Sequence, residues 1–452
     1  MSDELLDIAD RLVAQGSGTE QIEAYVARGI DTEIRIYDGE IESLSTATSA
    51  GIGIRVLLPG PDGSRVGVAY AGSLDPGAVA AALTSARENA TFASPDPMMV
   101  LAAPDGITPA KVDLVDPTAH LVSIDDKIAL AKAVEAAAKA GDPRIRSVDS
   151  ADYGDSRSEM ALVSTTGIRA TSERTSAFVS AATLAGAADE TQTGSGFSIG
   201  RGPGDLDPEA AARDAVERSV RMLGATKGAS MRTTVVFDPR VTSTILGVLS
   251  GALSGDAVVR GRSFFEGHLG ESVAVPGFTL VDDPTDLRAY GASALDGEGL
   301  ACRRNVLIDD GILSMFVYDT VSARRAGAAA TGSASRGGIA GSPGAGCRAL
   351  VLHSGDLSAD ELLASVGEGL YVQSITGVHS GVSTVSGDFS VGAEGLMIRD
   401  GRLAEPIREV TVASSFQRML QNIIGIGADL TWLPGISAGQ TLAIGDVQIS
   451  GT

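Results

Sequence analysis

Apolar residues recur at helical spacing through Leu5, Leu6, Ile8, Ala9, Leu12 and Val13, which predicts an amphipathic helix over residues 3–15. The period then drops to two. The segments QIEAYVARG (21–29) and TEIRIYDGEIES (32–43) alternate as strands, with a turn at Asp38-Gly39. Residues 50–72 form a hairpin pattern around Pro59-Gly60-Pro61-Asp62-Gly63, and a helix follows over 76–90. Residues 94–118 are rich in Pro and Asp and lose periodicity, as a linker does. A second unit opens with a helix over 123–141, where Ser123 and Asp126 fit a capping pattern. Strand patterns follow over 144–154, 159–167 and 168–186, and then a helix that Asp207-Pro208-Glu209 starts and that runs to about Met222.

From residue 231 the pattern changes. TTVVFDP is a strand, and Asp238-Pro239 admits a helix with Val241, Ile245, Leu249 and Ala252 on one stripe. Beyond Asp256 the chain reads as short strands and glycine turns as far as Thr452, with one further helix over 356–366. The expected class is α+β: an N-terminal α/β region of helices and mixed sheet, then a β-rich, barrel-like, antiparallel domain with few helices. The expected divisions are an α+β unit at 1–95, a linker at 96–118, a second α+β unit at 119–230 and the β-rich domain at 231–452, with the boundary near Gly228-Ala229-Ser230.

Composition narrows the function. Hydrophobic residues make up 44% of 452, which suits a chain with a large core and no need of disulfides. The cysteines, Cys302 and Cys347, form no CxxC pair, so a reducing compartment is expected. The N-terminal stretch lacks the basic and apolar regions of a signal peptide, and no apolar run reaches about 18 residues, so the cytoplasm is expected and no membrane span. A net charge of −22, from 57 acids and 35 bases, argues against direct binding of nucleic acid.

Motif chemistry is sparse. Two G-x-S-x-G matches, around Ser198 and Ser437, lack the strand-turn-helix context of a nucleophile elbow. No Walker A or strand-borne GxGxxG is present. The glycine-rich run 331–346 reads as a mobile surface loop rather than a phosphate cradle. His120, His268, His353 and His379 have no metal-ligand spacing, and Asp388, Glu394 and His379 are the one titratable cluster near His379.

Taken together, RGRSFFEGHLGESVA (260–274), LDGEGLACRRNVLIDDGIL (295–313), YDTVSARRAG (318–327) and TGVHSGVSTVSGDFSVGAEG (376–395) resemble the TldD/TldE (PmbA) family, in its TldE/PmbA-like branch. The resemblance implies a cytoplasmic, heterodimeric zinc metallopeptidase. Its TldD-like partner carries HExxxH on a helix, with the glutamate as general base, and a cysteine near the C-terminus. Laid on this chain, the two histidines fall on Leu246 and Gly251 and the glutamate on Gly247, while LPGISAGQ lacks the cysteine. The resemblance therefore implies no catalytic residue and no cofactor here, with zinc in the TldD-like partner. It also implies a peptide substrate, captured by strand addition. Arg262, Ser263, Phe264, His379 and Ser380 are the candidate substrate contacts. Gly247 and Gly251 read as close-packing positions that larger side chains would overfill. Two other readings stand beside this one: a gyrase or toxin–antitoxin modulator, and a homodimer with its own repurposed activity.

Overall fold

A computed structural model describes residues 2–186 and 190–451. The first half runs α1 (Ser2–Val13), β1 (Gln21–Tyr37), β2 (Glu40–Gly60), β3 (Gly63–Ala71), α2 (Pro76–Phe92), α3 (Ile124–Gly141), β4 (Ile145–Ser164), β5 (Arg169–Ala185), β6 (Gln192–Gly200) and α4 (Pro208–Val220). Local chemistry sets the ends. Asp38 and Gly39 both take positive φ, the condition for a tight β1–β2 hairpin. The Ser123 side chain accepts from the Asp126 N–H at the start of α3, and Asp207 accepts from the Ala210 N–H before Pro208 in α4.

The six strands form one sheet in the order β3-β2-β1-β4-β5-β6, and every pairing is antiparallel. The strands are longer than their sequence patterns, because polar residues such as Asp31 and Ser156 continue the ladder through stretches with no apolar alternation. Two apolar clusters lie on one face. Leu5, Leu12 and Leu83 of α1 and α2 cover Ile22, Ala24 and Val26 at one end, and Val134 and Ala212 of α3 and α4 cover Ile34 and Ile36 at the other. Residues of the other parity in β1, such as Glu23 and Tyr25, face the second half of the chain.

The second half contains β7 (Thr226–Lys227), β8 (Met231–Phe237), α5 (Pro239–Ala252), α6 (Gly255–Val259), β9 (Leu280–Asp282), β10 (Asn305–Asp309), β11 (Ile312–Leu313) and α7 (Thr320–Ala326). It continues with β12 (Ala334–Ser335), β13 (Gly344–Ala345), β14 (Leu350–Leu352), α8 (Ala359–Val366), β15 (Gly369–Thr376) and α9 (Val378–Gly381). The chain ends with β16 (Asp388–Arg399), β17 (Arg402–Ser415), α10 (Phe416–Gln421), β18 (Ile423–Ile426), β19 (Thr431–Trp432), β20 (Ala438–Gly439) and β21 (Leu442–Ser450). Strands β8, β15, β16, β17 and β21 close into a five-stranded barrel, since β17 pairs with both β16 and β21. The class is α+β with a β-rich second half. The mixed pairing expected of the N-terminal sheet occurs instead in the sheet of the second half, where β8 runs parallel to β15 within the barrel and β7 runs parallel to β17 beside it.

Two segments read as loose are packed. Residues 94–118 contain no helix or strand, yet Leu101, Ala102 and Leu114 are buried and Arg325 pairs with Asp96. The run 331–346 is anchored rather than mobile. Arg336 forms an ion pair with buried Glu23, Asp296 accepts from the Ala334 N–H, and Ile339 sits directly over Gly51 and Gly53 of β2. A Cβ at Gly53 would lie 1.9 Å from the Ile339 carbonyl oxygen, so that position accepts only glycine. No helix among the described residues is long and apolar enough to cross a membrane.

Candidate functional site

Helix α5 organises the site. Its first turn is capped by Asp238, whose carboxylate accepts from the Arg240 N–H and from the Tyr371 hydroxyl, and pairs with Arg218 of α4. Burial opposes the Arg218 charge, but Asp238 beside it outweighs that and raises its pKa. Burial also pushes Asp214 up and Arg240 down, although the two pair. The Arg240 guanidinium lies over the Phe197 ring at 4.4 Å and donates to the Ser195 carbonyl of β6. This network ties α5 to both halves of the molecule.

A cavity of about 510 Å³ opens at this end of α5, between Thr193–Ser195 of β6 and Gln373–Ile375 of β15, with Arg240, Thr244 and Glu394 on its wall. The last residues of β15 extend beyond the end of β8, which pairs only as far as Val372. Strand β6 is the last strand of its sheet. The cavity thus lies between two stretches of strand edge. No single motif signals it, because its lining residues are scattered from Asp149 to Glu394.

Along α5 the accessible stripe continues through Thr244, Gly247, Val248 and Gly251. Leu246 points the other way and is 2% exposed in the main apolar core. A Cβ on Gly247 would have Ser437 Oγ as its nearest neighbour at 3.7 Å, and one on Gly251 would meet Thr384 at 3.5 Å. Both distances are ordinary contacts, so the close-packing reading of these glycines is corrected: they border open space.

Of the candidate contacts, Phe264 is tied to this stripe, through Thr384 beside Gly251. The Phe264 N–H donates to the Thr384 carbonyl, which joins the 260–271 loop to the segment that follows α9, the helix bearing exposed His379 and Ser380. Phe264 stacks on Phe416 at 5.5 Å. Arg262 is exposed. Ser263 is different. It is 6% exposed, and its hydroxyl donates to the Ala252 carbonyl at the end of α5 and accepts from the Phe265 N–H. It therefore fixes the loop, with no free group for a substrate. The segment GVHSG revealed this region through its composition, but sequence could not separate Ser263 from its neighbours.

The G-x-S-x-G serines have structural roles. Ser198 lies inside β6 and accepts from the Asp207 N–H, and buried Ser437 bonds Ser243 of α5. Asp388 and Glu394 bond Ser386 and Ser374 respectively. Among the described residues no three His, Cys, Asp or Glu side chains converge on a point that could hold a metal ion. Leu246, Gly247 and Gly251 supply no donor atom, so the residues on α5 do not fit a zinc ion.

Buried acids outside this groove were not legible as a group. Glu298 is fully buried. One of its carboxylate oxygens accepts from the Thr320 N–H and hydroxyl at the start of α7, and the other has no partner, so burial pushes its pKa up to about 7. Burial likewise pushes Asp282 up to about 6.

Comparisons with known proteins agree along the whole chain. Sequence models of the PmbA/TldA metallopeptidase match in three parts: domain 1 over 22–90, the central domain over 118–223 and the C-terminal domain over 230–451. The metalloprotease PmbA of Escherichia coli O157:H7 is 28% identical over 458 residues, covering 99% of this chain and 96% of that one. A metalloprotease TldD homologue of Haemophilus influenzae is 26% identical, covering 93% of this chain and 87% of that one. Among solved structures, a proposed modulator of DNA gyrase from Bacteroides thetaiotaomicron superposes with TM-score 0.86 at 27% identity, covering 100% and 99% of the two chains. TldE from Thermococcus kodakarensis has the same fold, with TM-score 0.85 at 23% identity and 99% of each chain covered. The chain belongs to the PmbA/TldD metallopeptidase family.

Proposed function

We propose that this chain is the zinc-free subunit of a cytoplasmic, heterodimeric PmbA/TldD-type peptidase. It pairs with a TldD-like chain that holds the zinc, and the pair degrades unfolded peptides or trims peptide precursors. One observation carries the reading. The helix that would bear the metal ligands presents Gly247 and Gly251 to the groove and Leu246 to the core, which supports a donor set supplied by a second chain.

A second observation supports a partner chain. Residues Glu40–Ser49 of β2 are exposed throughout, and β3 begins to pair with β2 only at Ile52. That edge contains no Lys or Pro, the residues that usually protect an open strand. In the groove, the 510 Å³ cavity between two strand edges suits an extended peptide backbone. Arg262, Phe264, His379 and Ser380 remain the proposed peptide contacts, and Ser263 fixes the loop that bears Arg262 and Phe264. The test mixes this chain with a purified TldD-like chain bearing HExxxH. Cleavage of an unfolded peptide by the pair and by neither chain alone is expected. Cleavage by this chain alone would favour the homodimer reading, and failure to associate would refute the assignment.

A further inference from the structure

A second cavity, of about 180 Å³, lies at the seam between the N-terminal sheet and the loop Ser293–Gly297, away from α5. Three arginines line it: Arg174 of β5, Arg336 and Arg348. In a chain of net charge −22 such a cluster needs a reason.

Arg336 is accounted for by its ion pair with Glu23. The other two are not. No described carboxylate lies within ion-pair distance of Arg174 or of Arg348. Arg174 donates to the Tyr290 carbonyl and lies 5.7 Å over the Tyr290 ring, and nothing else answers its charge. Arg348 donates to the Ala334 carbonyl, and its Nε is buried without a partner. Burial draws the Arg174 guanidinium below its ordinary pKa, and the neighbouring Arg348 pulls in the same direction.

The acids in the wall are already engaged. Both Asp296 oxygens accept backbone N–H groups, from Glu298 and Leu300 on one and from Ala334 on the other. Glu159 pairs with Arg28, and Arg157 lies 3.9 Å from its other oxygen. Two half-buried, mutually repelling guanidiniums therefore face a polar space without a direct ion pair; Asp296 and Asp282 act on Arg348 only at a distance, and neither acts on Arg174. Leaving buried charge uncompensated is costly, and a bound anion would remove the cost. The space amounts to about six waters of liquid volume at about 30 Å³ each, enough for a small anion and little more. The planar guanidinium fork matches an oxyanion bidentately.

We propose that Arg174 and Arg348 form a binding site for a compact oxyanion, a carboxylate or inorganic phosphate, at the seam between the two halves of the chain. The site is independent of the peptidase reading and of any partner. An anion there would bridge β5 to the strand-poor loops of the second half and stiffen the seam.

The test is calorimetric titration of the intact chain in dilute chloride buffer, with four probes: inorganic phosphate, acetate, and trialanine with a free or an amidated C-terminus. Saturable binding of phosphate, or of acetate and the free-acid peptide but not the amide, is expected, and it distinguishes the two sources. Binding should weaken at least tenfold in Arg174→Gln and in Arg348→Gln. Without anion, Arg174→Gln should melt at the same temperature as the parent or higher, because it removes an uncompensated charge. In the unmodified protein, the bound anion should slow phenylglyoxal modification of Arg174, read by peptide mass spectrometry. Absence of saturable binding, binding indifferent to both substitutions, no protection of Arg174, or a large loss of melting temperature in anion-free Arg174→Gln would each overturn the site.

Discussion

Glu298 shows what a single side chain contributes that its sequence context, LDGEGL, does not reveal. Buried and with one unpartnered oxygen, its charged form is disfavoured, and the group holds its proton to about pH 7. In the unfolded chain it would ionise near the ordinary 4.5. Between those values the folded state binds more protons than the unfolded state, so this contribution to stability is full below pH 4.5 and is lost as pH rises through 7. Asp282 adds a change of the same sign at lower pH, ending near 6. Urea unfolding at pH 6 and pH 8 should therefore show the parent losing about 1–2 kcal/mol relative to Glu298→Gln, roughly one pKa unit of linkage. Equal pH dependence in the two proteins would refute this assignment. The same limit explains Ser263. Its residue type, flanked by Arg262 and Phe264, suggested a surface contact, while its burial and its two hydrogen bonds depend on where α5 ends, which only the fold determines.

At the scale of elements, helices with caps and clean 3.6-residue stripes were legible, α3 and α5 among them. Strands were legible where side chains alternate and were cut short where the alternation breaks, as at Gly29–Thr32 of β1, where a glycine and Asp31 flank an exposed Ile30. The pairing partners were not legible, because the parallel β8–β15 contact joins residues more than a hundred positions apart. Helix α5 gives the sharpest test of the groove geometry. Gly251→Ala meets only ordinary contacts and should leave stability unchanged or raise it by about 0.5–1 kcal/mol through helix propensity. Leu246→Ala opens a cavity in the main core and should cost about 2–5 kcal/mol. Installing Leu246→His, Gly247→Glu and Gly251→His together should therefore lose stability through position 246, not through the glycines. Positions 246 and 251 lie about 140° apart on an ideal helix, so this variant should gain at most weak zinc binding. A stable triple variant that cleaves peptide alone would refute the reading of α5.

At the scale of the molecule, the two halves are held by buried charge as well as by apolar contact. Glu23 of β1 accepts from Arg55 of β2 at 2.6 Å and from Arg336 of the second half at 2.6 Å, all three buried. Glu23→Gln would leave two guanidiniums uncompensated and should cost about 3–5 kcal/mol in urea unfolding. A loss under 1 kcal/mol would show that the seam does not depend on this triad. The family was legible from long motifs in the second half, whereas the seam was not, because Glu23, Arg55 and Arg336 have no common motif. The central claim is that the metal belongs to the other chain, and zinc stoichiometry tests it most directly. Elemental analysis of the purified pair should give about one zinc per heterodimer, lost when either histidine of the partner's HExxxH is replaced and unchanged by His379→Ala in this chain. About one zinc on the isolated chain, lost with His379→Ala, would contradict it.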